Sequence, residues 1–267
     1  MPAYARPNDL SAALTLLAQG HRVLAGGTDI YPQAGPTLSG DTLDITDLTD
    51  LKGITAENGL RIGAATTWTA IAEAALPAAL HALQQAARTI GGRQIQNAGT
   101  IGGNLCNASP AADGIPPLLI LNAEVEIASA ATTRRLPLEN WLKGPRRVDL
   151  HPDELLIAIH IPANGLQGRS HFLKLGARSH LVISIVMVAL RVVTENGRIT
   201  QAFAAIGSCS ATAQRLPMVE DALINATPIE SVHLSTLSPI DDIRATAAYR
   251  REAALELLRR AVLELAG

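Results

Sequence analysis

Aromatic side chains make up only 3% of this 267-residue chain: two Trp, three Tyr and two Phe. Its interior must therefore be packed with Ala, Leu, Ile and Val, which bring the hydrophobic share to 48%. Cysteine is scarcer still. Cys106 and Cys209 are the only two, and they form neither a C-x-x-C pair nor a ligand set for a metal or iron–sulfur centre. With no secretory features, a disulfide between them is not expected. Neither sign of charge dominates: 22 basic residues face 24 acidic ones, for a formal net charge of −2. That balance lacks the basic footprint of a nucleic-acid partner. Long apolar runs are missing too. The longest, Leu181 to Leu190, is broken by Ser184 and is too short to span a bilayer. The segment from Met1 to Pro7 has no apolar signal core, so the expectation is a soluble cytoplasmic protein.

What the chain has is glycine, in two places that matter. From Asn97 to Asp113, three Gly, three Asn, Thr100, Ser109 and Asp113 sit in a stretch with no long charged side chain. Each Gly costs about 1 kcal/mol inside a helix and Pro about 3, so this stretch is expected to be neither an ordinary helix nor a regular strand. Bare backbone of this kind approaches a ligand closely, and successive N–H groups form concavities that bind anions. A smaller stretch, Val23 to Ile30, reads as a short strand entering a Gly-Gly turn. Two such cradles suit the two phosphates of a pyrophosphate, and a Cβ at Gly102 or Gly103 is expected to block the second. Neither stretch fits G-x-G-x-x-G or the P-loop pattern. Each alone fits a tight structural turn better than a ligand site; it is their joint appearance that favours a ligand.

The rest of the chain reads as mixed α and β structure. Asn8 is expected to cap a helix carrying Leu10, Leu14 and Leu17 and ended by Gly20. Short strands are expected at Leu43–Ile45, Gly59–Gly63, Val125–Ile127 and Leu155–Ile161. Helices are expected from Thr66 or Thr67 to Glu73, from Leu76 to Ile90 with Pro77 in the first turn, and from Pro117 to Leu121. Residues Ala163 to Gly168 mark a boundary. Beyond it, Phe172–Leu175, Ile183–Val193 and Ile199–Gly207 read as an antiparallel meander with an Asn196-Gly197 hairpin turn. Asp241 to Leu265 reads as mostly helical, with Leu255, Leu258, Val262 and Leu265 at helical spacing. No internal repeat stands out.

Together, Ala25-Gly26-Gly27-Thr28-Asp29 and Thr100-Ile101-Gly102-Gly103-Asn104, followed by Ala108-Ser109-Pro110 and Asp113, resemble the FAD-binding subunit or domain of the molybdenum hydroxylases. Glu154-Leu155-Leu156, Phe172-Leu173-Lys174-Leu175-Gly176, Pro239 to Arg244 and Tyr249-Arg250-Arg251 extend the resemblance over nearly the whole chain. It implies an α+β fold. Residues 1–162 would be a PCMH-type (vanillyl-alcohol-oxidase-like) FAD-binding domain with subdomains about 1–52 and 53–162. Residues 168–267 would resemble the CO dehydrogenase flavoprotein C-terminal domain, an antiparallel three-stranded sheet with helices. The positions matching FAD contacts are Leu24, Ala25, Gly26, Gly27, Thr28, Asp29, Ile30 and Tyr31; Thr100, Ile101, Gly102, Gly103 and Asn104; and Ser109, Asp113, Leu156 and Lys174. Ile90 falls where one branch of the family carries an aromatic contact.

No metal site and no catalytic acid–base pair or nucleophile is read in this chain, which suits a flavin that relays electrons. The resemblance implies a small partner subunit with 2Fe–2S clusters, a large molybdopterin subunit that hydroxylates the substrate, a heterotrimer or its dimer, and a small-molecule electron acceptor. A stand-alone FAD-dependent oxidoreductase and a non-catalytic module remain alternatives. Several residues also carry plainer readings. Asp29 suits bonding to neighbouring N–H groups, since a carboxylate beside phosphates is repelled. Arg93 reads as a surface charge, or as a contact to phosphate or a neighbouring subunit; Arg146, Arg147, Arg250, Arg251, Arg259 and Arg260 read as solvated charges or as contacts to partner subunits. The seven His read as surface or hydrogen-bonded residues, including His171 and His180 beside Lys174.

Overall fold

The computed structural model describes residues 2–36, 38–178 and 181–266; His180 lies outside them. The chain begins with a parallel sheet of three short strands, β1 (Tyr4–Ala5), β2 (Arg22–Leu24) and β3 (Thr42–Asp44), in the order β1-β3-β2. Helix α1 (Leu10–Ala18) makes the crossover. Its cap is Asp9 rather than the expected Asn8: the Asp9 carboxylate accepts the Ala12 N–H at 2.8 Å.

A second sheet joins β4 (Ile54–Ala56), β5 (Gly59–Gly63), β6 (Glu124–Ala128), β7 (Thr133–Pro137) and β10 (Leu155–Pro162), antiparallel in the order β4-β5-β10-β6-β7. A small hairpin, β8 (Leu142–Gly144) with β9 (Arg147–Val148), precedes β10. Strand β10 is an almost unbroken apolar run because both its faces are covered. Leu156, Ile159 and Ile161 enter the main core, while Leu155 and Ile157 enter a smaller one shared with α1 and β3.

Between β5 and β6 lie α2 (Trp68–Glu73), α3 (His81–Thr89), α4 (Arg93–Ala98), α5 (Ile101–Asn107) and α6 (Ile115–Ile120); α7 (Leu138–Trp141) follows β7. Thr67 caps α2 through the Ala70 N–H at 3.3 Å. The helix expected from Leu76 begins only at His81, because Ala78–Leu80 winds as a 3-10 turn after Pro77.

The C-terminal sheet contains the three expected strands, β11 (Arg169–Leu175), β12 (Val186–Glu195) and β13 (Arg198–Gly207), plus a two-residue edge strand, β14 (Gln214–Arg215). Asn196 and Gly197 both take positive φ at the hairpin, as a tight primed turn requires. One face of this sheet packs on α8 (Pro217–Ile224) and α9 (Ala247–Ala266). The other supplies Phe172, Met187, Ala189 and Ala205 to the main core.

Helix α9 starts at Ala247, so Asp241–Thr246 is a strut rather than the helical turn expected there. It is held by an arginine expected to be solvated. Arg250 is buried; it donates to the Ile185 and Ser208 carbonyls and pairs with Asp242 at 2.8 Å. Arg251 and Arg259 likewise bond the Leu237 and Ile229 carbonyls, leaving Arg260 on the surface with Glu256. Buried carbonyls need donors, and a long guanidinium reaches several at once.

The Arg244 N–H, with Arg250, the Ala245 N–H and the Arg244 side chain, holds the Asp242 carboxyl down at about 2 against burial, which would raise it. A depressed carboxylate stabilises the fold above its unfolded value of about 4, and that stability is lost as pH falls through about 2. Asp242→Asn is therefore expected to lower the urea midpoint at about pH 6, with the deficit closing between about pH 4 and about pH 2. A deficit constant across that range would rule out the linkage.

Candidate functional site

Strand β2 delivers the chain into the turn at 25–31. Ile30 and Tyr31 donate their N–H groups to the Gly27 carbonyl at 3.0 and 2.9 Å, closing it. Gly27 takes φ +68°, and a Cβ there would strike the Tyr31 ring at 2.2 Å. The N–H groups of Gly26, Gly27, Thr28 and Asp29 meet no acceptor among the described residues. Four successive donors without partners form a concavity suited to an anion. The Asp29 carboxylate, expected to bond neighbouring N–H groups, makes no hydrogen bond among the described residues and is exposed.

The second Gly-rich stretch is, contrary to expectation, a helix. α5 runs from Ile101 to Asn107 straight through Gly102 and Gly103. Packing overrides propensity here: a Cβ on Gly102 would lie 2.6 Å from the Ala64 carbonyl oxygen, so only glycine lets α5 approach that backbone. Its first N–H groups are also in use. Ile101 donates to the Thr66 carbonyl at 3.0 Å, Gly102 to that of Ala64 at 2.8 Å, Gly103 to Thr100 Oγ1 at 3.0 Å and Asn104 to the Thr100 carbonyl at 3.1 Å. The expected second cradle of donors is therefore absent, and Gly102 serves packing. A Cβ at Gly103 would meet only Thr100 Oγ1, at 3.0 Å.

The two stretches nevertheless face each other. Ala25 to Ile30 lines one side of a cleft of about 630 Å³, and Thr100, Gly102, Gly103, Asn104, Ser109 and Asp113 line the other, with Leu156 between them. Gly26 is the point of closest approach: a Cβ there would fall 1.9 Å from the Ala98 carbonyl oxygen. Four of the expected contact residues do not line this cleft. Leu24 lines an adjoining cavity of about 370 Å³. Tyr31 covers Gly27 from outside, Ile101 is buried in the core, and Lys174 bonds Asp113 from behind.

Most charge in the cleft wall is already neutralised. Lys174 Nζ reaches Asp113 Oδ2 at 2.5 Å and Ser184 Oγ donates to Oδ1 at 2.6 Å, all three groups being buried or nearly so. Burial pushes the Asp113 carboxyl up, and Lys174 and Ser184 pull it back part-way. Arg134 grips Glu154 at 2.7 Å and holds its carboxyl low. Cys106 lines the cleft as a neutral thiol, pushed up to about 12 by burial. Arg93 forms an exposed ion pair with Glu73 at 2.5 Å, the surface role expected of it. One polar atom stands out: Asn104 Oδ1 is buried without a partner among the described residues, and such atoms are rare unless something else supplies a donor.

Other parts of the wall carry no motif in the sequence. Ile95, Asn107 and Arg146 line the cleft, and Ile183, expected only as a strand residue, stands at its mouth beside Ile90 and Val182. Arg146 had a weak signal in the Gly144-Pro145-Arg146 turn but no motif. Ile95 had none, since it depends on α4 turning back after Gly91, which takes φ +55°.

Over residues 1–164 the chain matches the family described as the FAD binding domain in molybdopterin dehydrogenase, and over 171–265 the CO dehydrogenase flavoprotein C-terminal domain. The chain belongs to the FAD-binding subunits of the molybdenum hydroxylases. Among its relatives, the xanthine dehydrogenase FAD-binding subunit of Escherichia coli is 35% identical over 258 residues, covering 93% of this chain and 88% of that one. The glyceraldehyde dehydrogenase medium chain of Sulfolobus acidocaldarius is 32% identical, covering 99% and 98%. Among solved structures, the reconstituted CO dehydrogenase from Oligotropha carboxidovorans superposes with a TM-score of 0.91 at 27% identity, covering 100% of this chain and 98% of that one. The chain is thus an oxidoreductase subunit, and the cleft fits the cofactor its family carries. It offers partnerless N–H donors to an anion, a partnerless acceptor at Asn104, and an apolar mouth at Ile90, Ile95 and Ile183.

Proposed function

We propose that this chain holds FAD in the cleft between its two Gly-rich stretches and relays electrons within a molybdenum-containing hydroxylase complex. Four partnerless N–H groups at 26–29, facing α5 across one cleft, carry this reading. In it the FAD-binding domain is residues 1–162 and the C-terminal domain residues 168–267. The turn at 25–30 binds the pyrophosphate. Thr100, Gly103, Asn104, Ser109, Asp113 and Leu156 contact the cofactor from the opposite wall. Gly102 lines the same wall while packing α5 against Ala64, and Leu24, Tyr31, Ile101 and Lys174 support those contacts from outside the cleft. FAD, when bound, supplies one- and two-electron redox chemistry; the chain's own groups bind it, orient it and keep water from its apolar end.

Electrons would arrive from 2Fe–2S clusters of a small partner subunit, having left the substrate at a large molybdopterin subunit, and would pass to an external small-molecule acceptor. In this reading the complex is a cytoplasmic heterotrimer, or a dimer of one. No helix among the described residues is long and apolar enough to cross a membrane. The test is purification of the native complex. Two further subunits, iron, molybdenum and a flavin band near ~450 nm are expected. A colourless chain that refuses FAD, or an isolated chain that oxidises a small organic substrate unaided, would overturn the proposal.

A further inference from the structure

Arg146 is the one cationic side chain lining the cleft among the described residues. The acidic residues around it are Asp29, Asp113 and Glu154. Asp113 is taken by Lys174 and Glu154 by Arg134, whereas Arg146 forms no ion pair among the described residues. It is not loose, however. Its backbone sits at φ +55° in the turn between β8 and β9, a conformation a non-Gly residue rarely adopts. Its N–H donates to the Ala108 carbonyl at 2.9 Å, and its Nη1 donates to Asn107 Oδ1 at 2.7 Å. Ala108 is itself left-handed, at φ +41°. Two uncommon backbone conformations thus interlock, just past the end of α5, and aim one guanidinium.

That aim is toward the junction of the two cavities. Val23, Asp29, Ile30, Asn107 and Arg146 line both. Asp29 closes the run of N–H groups at 26–29, so the guanidinium and those donors border the same space. Four amide dipoles bind an anion through partial charges only. A full positive charge strengthens the hold on a dianion, and a guanidinium meets phosphate oxygens with paired, charge-assisted hydrogen bonds.

We propose that Arg146 is a cofactor-binding residue of this cleft, the group that carries positive charge to the FAD pyrophosphate. The proposal rests on the reading that FAD binds here. Asn107 then acts as a positioning residue that holds the guanidinium for the phosphate.

The test is titration of the FAD-depleted full chain with FAD and, separately, with riboflavin, followed by quenching of flavin fluorescence. Arg146→Gln is expected to weaken FAD binding about tenfold or more while leaving riboflavin binding unchanged, because the lost hydrogen bonds are to charged phosphate. The wild-type affinity for FAD should fall more steeply with salt than that of the variant. Arg146→Lys should recover part of the loss, and thermal melts of the FAD-depleted proteins should coincide. Should Arg146→Gln not fold, Asn107→Ala, which frees the guanidinium without removing it, is expected to give a smaller loss confined to FAD. Equal FAD affinity in wild type and Arg146→Gln, or equal losses for FAD and riboflavin, would overturn the role of Arg146. Failure of the wild-type chain to bind FAD at all would instead overturn the reading beneath it.

Discussion

Gly26→Ala is expected to destabilise the protein by about 3 kcal/mol or more and to empty the cleft of FAD. The added methyl would lie 1.9 Å from the Ala98 carbonyl oxygen and 2.6 Å from its carbon. Both are backbone atoms of Ala98, the last residue of α4, so no side chain can swing aside. The turn must retreat from α5, and the N–H groups at 26–29 move with it. Gly35→Ala is the control. It lies beyond the same turn, an added Cβ there would meet nothing within 4 Å, and its φ is not positive. The measurements are Tm and FAD content after purification. For a domain of this size the shift should be roughly 5–10 °C for Gly26→Ala and near zero for Gly35→Ala. Matching melts and matching FAD content in the two variants would sink the idea that close approach of the two stretches makes the site.

Much of the fold was legible because its strongest patterns are local. The apolar run at β10, the Asn-Gly hairpin between β12 and β13, and the Thr67 cap each carry their own chemistry and appear where the residues imply. Elements that exist only through tertiary contact were not legible. β14 has two residues and no period to read. Arg250 looks like a surface charge until Ile185, Ser208 and Asp242 are brought around it.

The site shows the same division more sharply. Glycine content marked both stretches, but glycine has two uses and sequence does not separate them. At 26–27 it leaves donors without partners; at Gly102 it admits the Ala64 backbone. Propensity argued against a helix at 101–107, yet every early N–H there found an acceptor supplied by Thr66, Ala64 or Thr100. Arg146 reaches the cleft from some forty residues further along the chain, through a hydrogen bond to Asn107 spanning 39 positions. No window on the sequence contains both.

Lys174→Met is expected to cost about 3–5 kcal/mol, because it leaves the Asp113 carboxylate buried without its partner. Asp113 lies in the segment that matches the FAD binding domain, and Lys174 and Ser184 lie in the segment that matches the CO dehydrogenase flavoprotein C-terminal domain. The pair therefore fastens the second wall of the cleft to the sheet behind it. Two further measurements separate this from simple loss of packing. In the double variant Asp113→Asn/Lys174→Met the stranded charge is gone, so the double should be more stable than Lys174→Met alone. The single variant should also gain stability relative to wild type as pH falls from about 7 to about 5. Burial already pushes the Asp113 carboxyl up, and loss of the ammonium raises it further. A carboxyl raised in the folded state favours folding only while protonated, and that stability disappears as pH rises through the folded value. A Lys174→Met protein within about 1 kcal/mol of wild type at neutral pH would mean the pair contributes no more than an exposed one. Asp113 would then have to be held in the cleft wall by Ser184 alone.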